Sequence, residues 1–227
     1  MPDRSFADTL TRRILPRTIV SLSQLDGRAR VGSALRHRLH RSARVELYFA
    51  FDDPCSAVAV LDLADRLADY DAQLVLYPVV RRGIPDDPAV DLKRAYAIED
   101  ARRLLRRSDL TLRRTEPLAP GDVAFLAEWV AGAPQGPALV RFCVDAMRRL
   151  WLETDGPVDP TDFEPPSAAA LAGDRGPAAV RRDERRMKRR GPYDTPAAWV
   201  HGQWFFAHDR LAQIAARLDD LGWRRPA

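Results

Sequence analysis

Apolar residues form a nearly continuous run from Val45 to Phe51, with almost no charge in it. A run without polar alternation is typical of a strand buried on both faces of a parallel sheet. It leads into Asp53 and Pro54, a good helix N-cap followed by a residue suited to the first helical position. Apolar positions then recur at helical spacing to about Asp69, and Ala72–Val80 again resembles a strand. This segment therefore predicts a parallel strand–helix–strand unit.

A long helical region follows. From Ala89 to about Arg190, apolar residues recur mainly at helical spacing, and no internal repeat or low-complexity tract interrupts the pattern. The loop before it, Arg81–Pro88, contains one glycine and two prolines. The helices predicted in this region are Asp91–Arg107, Gly121–Ala131, Pro137–Thr154, Ser167–Ala172 and Pro177–Arg190, with a loop over Pro160–Pro166.

Strand patterns return near the end of the chain. Ala197–Val200 and Gln203–Phe206 flank His201-Gly202, which has the length and composition of a hairpin turn. A last helix is predicted from about His208 to Leu221, and Gly222 is a suitable residue to end it.

The order of these elements predicts an α/β fold. A strand–helix–strand unit and a hairpin–helix unit would form two halves of one small sheet, separated by helices. That order is the layout of a thioredoxin-like fold with an inserted all-helical subdomain. We expect an arm at 1–43, a thioredoxin-like domain at 44–80 plus 191–227, and the helical insertion at 81–190.

Basic charge is concentrated in the arm. Residues 1–44 contain ten arginines and three aspartates, whereas the formal net charge of the whole chain is only +4. Such an arm can contact nucleic acid or pack on an acidic surface of its own protein or of a partner subunit. The arm has no known nucleic-acid-binding motif and no regular alternation of aromatic residues with its arginines. Packing is therefore the favoured interpretation, and a homodimer is one form of it.

Cysteine usage and hydropathy suggest a compartment. Two cysteines in unrelated contexts do not form a disulfide framework, which favours a reducing environment. No apolar run approaches the ~20 residues of a membrane span, and the amino terminus lacks the apolar core of a signal peptide. We expect a cytoplasmic protein without membrane contact. The four histidines have no metal-ligand spacing with acids or cysteines, so no metal site is predicted.

Three stretches of the sequence resemble one known family. They are the strand followed by Asp53-Pro54-Cys55-Ser56, the two segments 92–104 and 142–160, and residues 191–218. Together they resemble the DsbA-like branch of the thioredoxin superfamily, and within it the group of 2-hydroxychromene-2-carboxylate isomerases and kappa-class glutathione transferases. The resemblance implies glutathione as cofactor and a small-molecule substrate bound between the sheet and the helical insertion.

The resemblance also assigns binding residues. It implies a cis peptide bond before Pro196, with Thr195 and Pro196 beside the active-site helix. It places Lys93 near the cleft, where it would pair with a carboxylate, and Asp209 where it would hold the ammonium group of glutathione. Three of these residues also have simpler interpretations. Lys93 is then a solvated lysine, Pro196 an edge-strand proline, and Asp209 an acid that complements a helix dipole. Arg210 is expected to pair locally.

The turn Asp53-Pro54-Cys55-Ser56 departs from the pattern of that family. Its redox members have two cysteines in this turn, and its glutathione-dependent members have serine in the first position, where this chain has Asp53. A carboxylate cannot perform thiol–disulfide exchange, so the sequence argues against a dithiol oxidoreductase. A carboxylate would also repel a glutathione thiolate.

Three residues of the turn are candidate catalytic groups. Asp53 is either a general base or only the helix N-cap. Cys55 is either a thiolate favoured by the helix N-terminus or a small inert residue, whereas Cys143 belongs to an apolar helix face. Ser56 either stabilises the glutathione thiolate or bonds local backbone. The leading hypothesis is a glutathione-dependent isomerase or transferase acting on a small organic acid. The alternative is a degenerate, non-catalytic module with a structural or dimerisation role.

Overall fold

A four-stranded sheet lies at the centre of the computed structural model, which describes residues 27–167 and 175–226. The strands are β1 (Ala43–Phe49), β2 (Ala72–Pro78), β3 (Ala197–Val200) and β4 (Gln203–Phe206), in the spatial order β2-β1-β3-β4. β1 pairs parallel with β2 and antiparallel with β3, and β3 pairs antiparallel with β4. Both predicted halves therefore contribute to one sheet, and the α/β fold class is confirmed.

Seven α-helices lie within the described residues. They are α1 (Gly27–Arg38), α2 (Pro54–Arg66), α3 (Val90–Leu105), α4 (Ala124–Gly132), α5 (Pro137–Arg148), α6 (Arg175–Arg190) and α7 (Leu211–Asp220). Short 3-10 turns occupy Leu67–Asp69, Arg106–Ser108, Pro120–Val123 and Pro160–Asp162, and a π-helical turn occupies Arg149–Glu153. No described helix has both the length and the apolar character needed to cross a membrane.

The helical predictions differ from the structure mainly at helix ends. The helix predicted to reach Thr154 leaves α-geometry after Arg148 and ends in the π turn. The helix predicted over Ser167–Ala172 lies almost wholly outside the described residues. The chain divides into two compact units between Arg41 and Ser42, and α1 is the helix described in the first of them.

β1 is the most deeply buried strand. Every residue from Val45 to Phe51 is buried, and Leu47, Tyr48 and Phe49 are fully enclosed. Helix α2 continues this core, since all its residues from Pro54 to Leu61 are buried and it packs against α3, α5 and α7. Helix α2 is therefore enclosed by two helices from the region between β2 and β3 and by α7.

One charged residue in β1, Glu46, is buried and neutralised by the basic helix α6. Its carboxylate pairs with Arg186 at 3.1 Å and with Arg190 at 2.6 Å. Arg186 also lies over the ring of Tyr77 and donates to the hydroxyl of Tyr48. Burial is the main reason that the pKa of Tyr48 rises to about 12. Part of the dense charge of α6 therefore serves intramolecular packing.

Side chains from the helical region between β2 and β3 also hold the sheet and the turn. The amide of Gln135 donates to the carbonyl of Leu76 at 2.7 Å and accepts from its N–H at 2.9 Å, so it pairs with the free edge of β2. The indole N–H of Trp151 donates to the carbonyl of Phe51 at 3.0 Å. This second bond ties the end of α5 directly to the segment that positions the site.

Candidate functional site

A cleft of about 380 Å³ opens beside the N-terminus of α2. Its walls are the turn after β1, the loop after β2, the first turns of α3, and the segment that precedes β3. A volume of this size is at the lower end of the range for small-molecule sites. The residues that line it are Asp52, Asp53, Pro54, Cys55, Val80, Arg82, Gly83, Ile84, Asp87, Val90, Lys93, Arg94, Ala97, Pro117, Tyr193, Asp194, Thr195 and His208.

Asp53 joins the two halves of the fold at the bottom of this cleft. One carboxylate oxygen accepts from the N–H of Cys55 at 3.1 Å, which confirms the predicted N-cap. The other accepts from the hydroxyl of Ser56 at 2.6 Å and from that of Thr195 at 3.1 Å. Thr195 precedes β3, so a single carboxylate connects α2 to the late half of the sheet.

Burial dominates the electrostatics of Asp53. Removal from water raises its pKa above the ordinary value of 3.8, against the opposing effects of the nearby Arg82 guanidinium and the two hydroxyl groups. The neighbouring Asp52 carboxylate adds to the upward shift. A carboxyl group with this environment holds its proton at higher pH than an exposed aspartate, which is a property of acid–base catalysts.

Asp52 and Arg82 form an ion pair beside Asp53. Both guanidinium Nη atoms donate to the carboxylate of Asp52, at 2.7 and 3.0 Å, and both side chains are largely buried. Arg82 Nε also lies 3.8 Å from Asp194. Its positive charge is therefore shared among carboxylates of the protein.

Cys55 and Ser56 are enclosed. Ser56 has no exposed surface, and its hydroxyl donates to Asp53 and accepts from the N–H of Ala50 at 3.2 Å. The Sγ of Cys55 makes a long contact of 3.9 Å with the carbonyl of Ala97. Burial and four nearby carboxylates, with Asp53 first among them, raise the pKa of the Cys55 thiol. Of the two alternatives for Cys55, the thiolate is thus disfavoured in this environment, and the inert thiol is favoured.

The residues predicted to bind ligand lie at different depths. Lys93 is exposed at the rim and pairs with Asp87. The peptide bond between Thr195 and Pro196 is cis, as the resemblance implied. Thr195 lines the cleft, and its N–H donates to the side chain of Asp194 at 2.8 Å.

Asp209 lies apart from this group. It is exposed, 3.7 Å from the Arg210 guanidinium, and it borders a second depression between α2, α3 and α7. Arg210 therefore has the local partner that the sequence predicts. His208 borders both depressions and is the structural link between them.

Sequence reasoning missed two features of the cleft. Arg94, one turn into α3, lines the cleft and is half-buried, and it has no hydrogen bond or ion pair with any described residue. In addition, Cys55, Asp100 and His208 come together beside the cleft. The sequence could have indicated Arg94, because it directly follows Lys93, which the resemblance places near the cleft. Nothing in the sequence relates the other three residues, which are far apart along the chain.

Comparisons with known proteins agree with the fold. The sequence matches no protein-family model and no curated protein. The structure is similar to that of a 2-hydroxychromene-2-carboxylate isomerase, with a TM-score of 0.64 and 15% identity over 78% of this chain and 95% of the other. It is also similar to a probable DsbA oxidoreductase from Streptomyces coelicolor, with a TM-score of 0.58 and 16% identity over 82% and 92% of the two chains. The chain has a DsbA-like thioredoxin fold.

Within this DsbA-like fold, the unusual feature is the group at the start of α2. The turn that carries cysteines in redox members of the superfamily here holds a buried carboxyl group, which hydrogen-bonds to both neighbouring hydroxyls. Because the two cysteines of the chain, Cys55 and Cys143, are both free and lie in different helices, the turn has no dithiol. The fold is DsbA-like, whereas the turn at the start of α2 holds a buried carboxyl group and no dithiol.

Proposed function

We propose that this protein binds a small organic acid in the cleft and isomerises it by proton transfer. The observation that carries the proposal is Arg94. A half-buried guanidinium that lines a cleft and lacks a partner among the described residues is suited to bind a carboxylate through two parallel hydrogen bonds. The apolar part of the wall, which includes Val90 and Tyr193, would contact the body of the acid.

Asp53 is the proposed proton-transfer group. Its raised pKa favours the protonated form that can donate to one atom of the substrate, and the resulting carboxylate can remove a proton from another atom. The two transfers leave Asp53 unchanged and the substrate isomerised, without a change of oxidation state. The hydroxyls of Ser56 and Thr195 would hold the carboxyl group in place through both states.

Two further points support this substrate class. The structurally similar isomerase is named for a substrate with a carboxylate, although a likeness at 15% identity extends only to the fold. Glutathione, which we propose as a second ligand, also carries carboxylates that Arg94 and Lys93 could bind. Its thiolate would face Asp53 and Asp194, so the organic acid is the ligand we favour.

A second candidate is a non-catalytic module. It is favoured by the complete internal hydrogen bonding of Asp53, whose two oxygens already accept three bonds from the protein. In that case Asp53 would only cap α2 and connect it to Thr195. A structural or dimerisation role, with the basic arm as the contact, would then replace catalysis.

Proton transfer can be tested directly in deuterium oxide. A set of small hydroxy- and keto-acids is incubated with the protein, with and without reduced glutathione, and followed by NMR for isomerisation or deuterium incorporation. We expect turnover by the wild type and by Asp91→Asn, an exposed acid at the start of α3, and a loss of at least ~100-fold in Asp53→Asn. Equal rates in Asp53→Asn and the wild type would refute the role of Asp53. Absence of glutathione binding by calorimetry at millimolar concentration would remove it as a ligand.

A further inference from the structure

Three side chains with metal-binding atoms meet beside the cleft. Cys55 lies in the first turn of α2, Asp100 lies in the middle of α3, and His208 lies in the turn before α7. Their Sγ, one carboxylate oxygen and one ring nitrogen all lie within 4.8 Å of one another. From this geometry we propose that Cys55, Asp100 and His208 form a zinc site that opens into the cleft. The inference does not depend on the proposed isomerase function.

The mutual distances distinguish a metal site from a catalytic triad. In a Cys–His–Asp relay the imidazole lies between the other two groups, so two hydrogen bonds of about 3 Å and the ring itself separate the thiol from the carboxylate by roughly 8 Å. Here the sulfur and the carboxylate oxygen are within 4.8 Å of each other. The three atoms therefore converge on one point instead of forming a chain.

A zinc ion fits this spacing. Bonds of about 2.0 to 2.3 Å place tetrahedral ligands roughly 3.5 Å apart, so side-chain movements of about an ångström would complete the coordination. Thiolate, imidazole and carboxylate are all ligands that zinc accepts, whereas magnesium and calcium would take oxygen atoms alone.

His208 provides an independent observation. Its Nδ1 atom is buried and has no hydrogen-bond partner among the described residues. A buried polar atom without a partner costs about 1 to 3 kcal/mol, so such atoms are uncommon and call for an explanation. We assign this nitrogen as the ligand atom of His208, so that a bound metal would be its missing partner. The Cys55 sulfur is similarly available, because its contact with the Ala97 carbonyl is long.

The surrounding charge favours a cation at this point. Besides Asp100, the carboxylates of Asp53, Asp194 and Asp209 all act electrostatically on Cys55. A divalent cation counteracts the negative charge that raises the thiol pKa, and it stabilises a coordinated thiolate.

Zinc in proteins is usually four-coordinate, so three protein ligands leave one coordination position open to another ligand. Cys55 and His208 both line the cleft, so the open position would face the space in which a substrate binds. Zinc sites with three protein ligands and one exchangeable ligand are typical of catalytic centres, and closed four-ligand sites are typical of structural ones. A zinc ion here would therefore bind water or an oxygen atom of a small anionic ligand.

Cobalt substitution tests the assignment because it reports the sulfur ligand. The metal-free full-length protein is titrated with Co²⁺, followed by displacement with Zn²⁺, and the near-ultraviolet thiolate-to-cobalt absorption is recorded. We expect one equivalent to bind, with this absorption present in the wild type and in Cys143→Ala, which removes the other buried cysteine. We expect it to be absent in Cys55→Ala, and zinc affinity to fall at least ~10-fold in Asp100→Asn and in His208→Gln.

The outcomes separate the alternatives. Wild-type protein without a thiolate–cobalt absorption at millimolar metal would overturn the proposal, as would equal absorption in Cys55→Ala and Cys143→Ala. Zinc affinity unchanged in both Asp100→Asn and His208→Gln would do the same. These two variants decide the question if Cys55→Ala does not fold, because circular dichroism can confirm that each one retains its helices. Neither measurement requires an active enzyme, so failure here leaves the proton-transfer proposal intact.

Discussion

Replacement of Asp53 by alanine tests the part of the site that the structure defines best. The substitution removes the acceptor of three hydrogen bonds: the N–H of Cys55 and the hydroxyls of Ser56 and Thr195. Loss of an N-cap costs about 1 kcal/mol, and each buried hydroxyl that loses its partner costs about 1 kcal/mol more. Relief from burying a carboxyl group offsets part of this sum. We expect Asp53→Ala to lower the free energy of unfolding by about 2 to 3 kcal/mol at neutral pH.

Asp53→Asn separates hydrogen bonding from charge. The amide oxygen can still accept from the N–H of Cys55, and the amide nitrogen can donate to the hydroxyl oxygens. We expect the free energy of unfolding of Asp53→Asn to differ from the wild-type value by less than ~1 kcal/mol at neutral pH. Because burial raises the pKa of Asp53 above its unfolded value near 3.8, the wild type loses stability as pH rises through the folded-state pKa, and the amide variant does not. Stability of Asp53→Asn relative to the wild type should therefore increase from pH 4 upward.

Urea denaturation followed by tryptophan fluorescence at pH 4, 5.5 and 7 measures both effects. Asp91→Asn is the matched control, since this acid is exposed on the first turn of α3 and should show neither change. A free energy of unfolding for Asp53→Ala within ~0.5 kcal/mol of the wild-type value would refute the stabilising role of these three hydrogen bonds. A stability difference between Asp53→Asn and the wild type that has the same value at all three pH values would contradict the raised pKa of Asp53.

Other substitutions test the packing around the site. Gln135→Ala removes the side chain that pairs with the Leu76 backbone, so we expect a loss of about 1 to 3 kcal/mol in urea denaturation. Gly176→Ala places a Cβ 2.8 Å from a side-chain carbon of α4, and we expect a loss of about 1 to 3 kcal/mol and a lower melting temperature. Burial raises the pKa of both Cys55 and Cys143, so iodoacetamide at neutral pH should alkylate both slowly in the folded metal-free protein and rapidly in urea. Fast alkylation of Cys55 alone in the folded protein would contradict the conclusion that burial raises the pKa of its thiol.

Local signals in the sequence were sufficient for the elements that frame the site. Asp53 and Pro54 predict the start of α2, because an N-cap and a first-turn proline act through neighbouring backbone groups. The hairpin turn at His201-Gly202 is equally local, and both residues have the positive φ angles that a two-residue turn requires. Such features depend on a few adjacent residues, so the pattern alone identifies them.

The chemistry of the site depends on residues that the fold brings together. Arg82 follows β2, but only the folded structure shows that Asp52 is its ion-pair partner. It also shows that Arg94, which lines the same cleft, has no ion-pair partner among the described residues. Cys55 and His208 stand at opposite ends of the folded domain's sequence, so no spacing rule relates them. The sequence left open whether Cys55 is a thiolate favoured by the helix N-terminus or an inert residue. Burial and nearby carboxylates, visible only in three dimensions, disfavour the thiolate.

Calorimetric titration with small aromatic hydroxy-acids, salicylate first, tests most directly whether the cleft is an acid-binding site. The variants to compare are Arg94→Gln and Arg103→Gln, which neutralise two arginines of the same helix, one in the cleft and one exposed outside it. We predict saturable one-to-one binding to the wild type and to Arg103→Gln, and at least ~10-fold weaker binding to Arg94→Gln, because a charge-assisted pair contributes about 1.5 to 3 kcal/mol. Equal affinities of the two variants, or no saturable binding to the wild type at millimolar acid, would contradict the account.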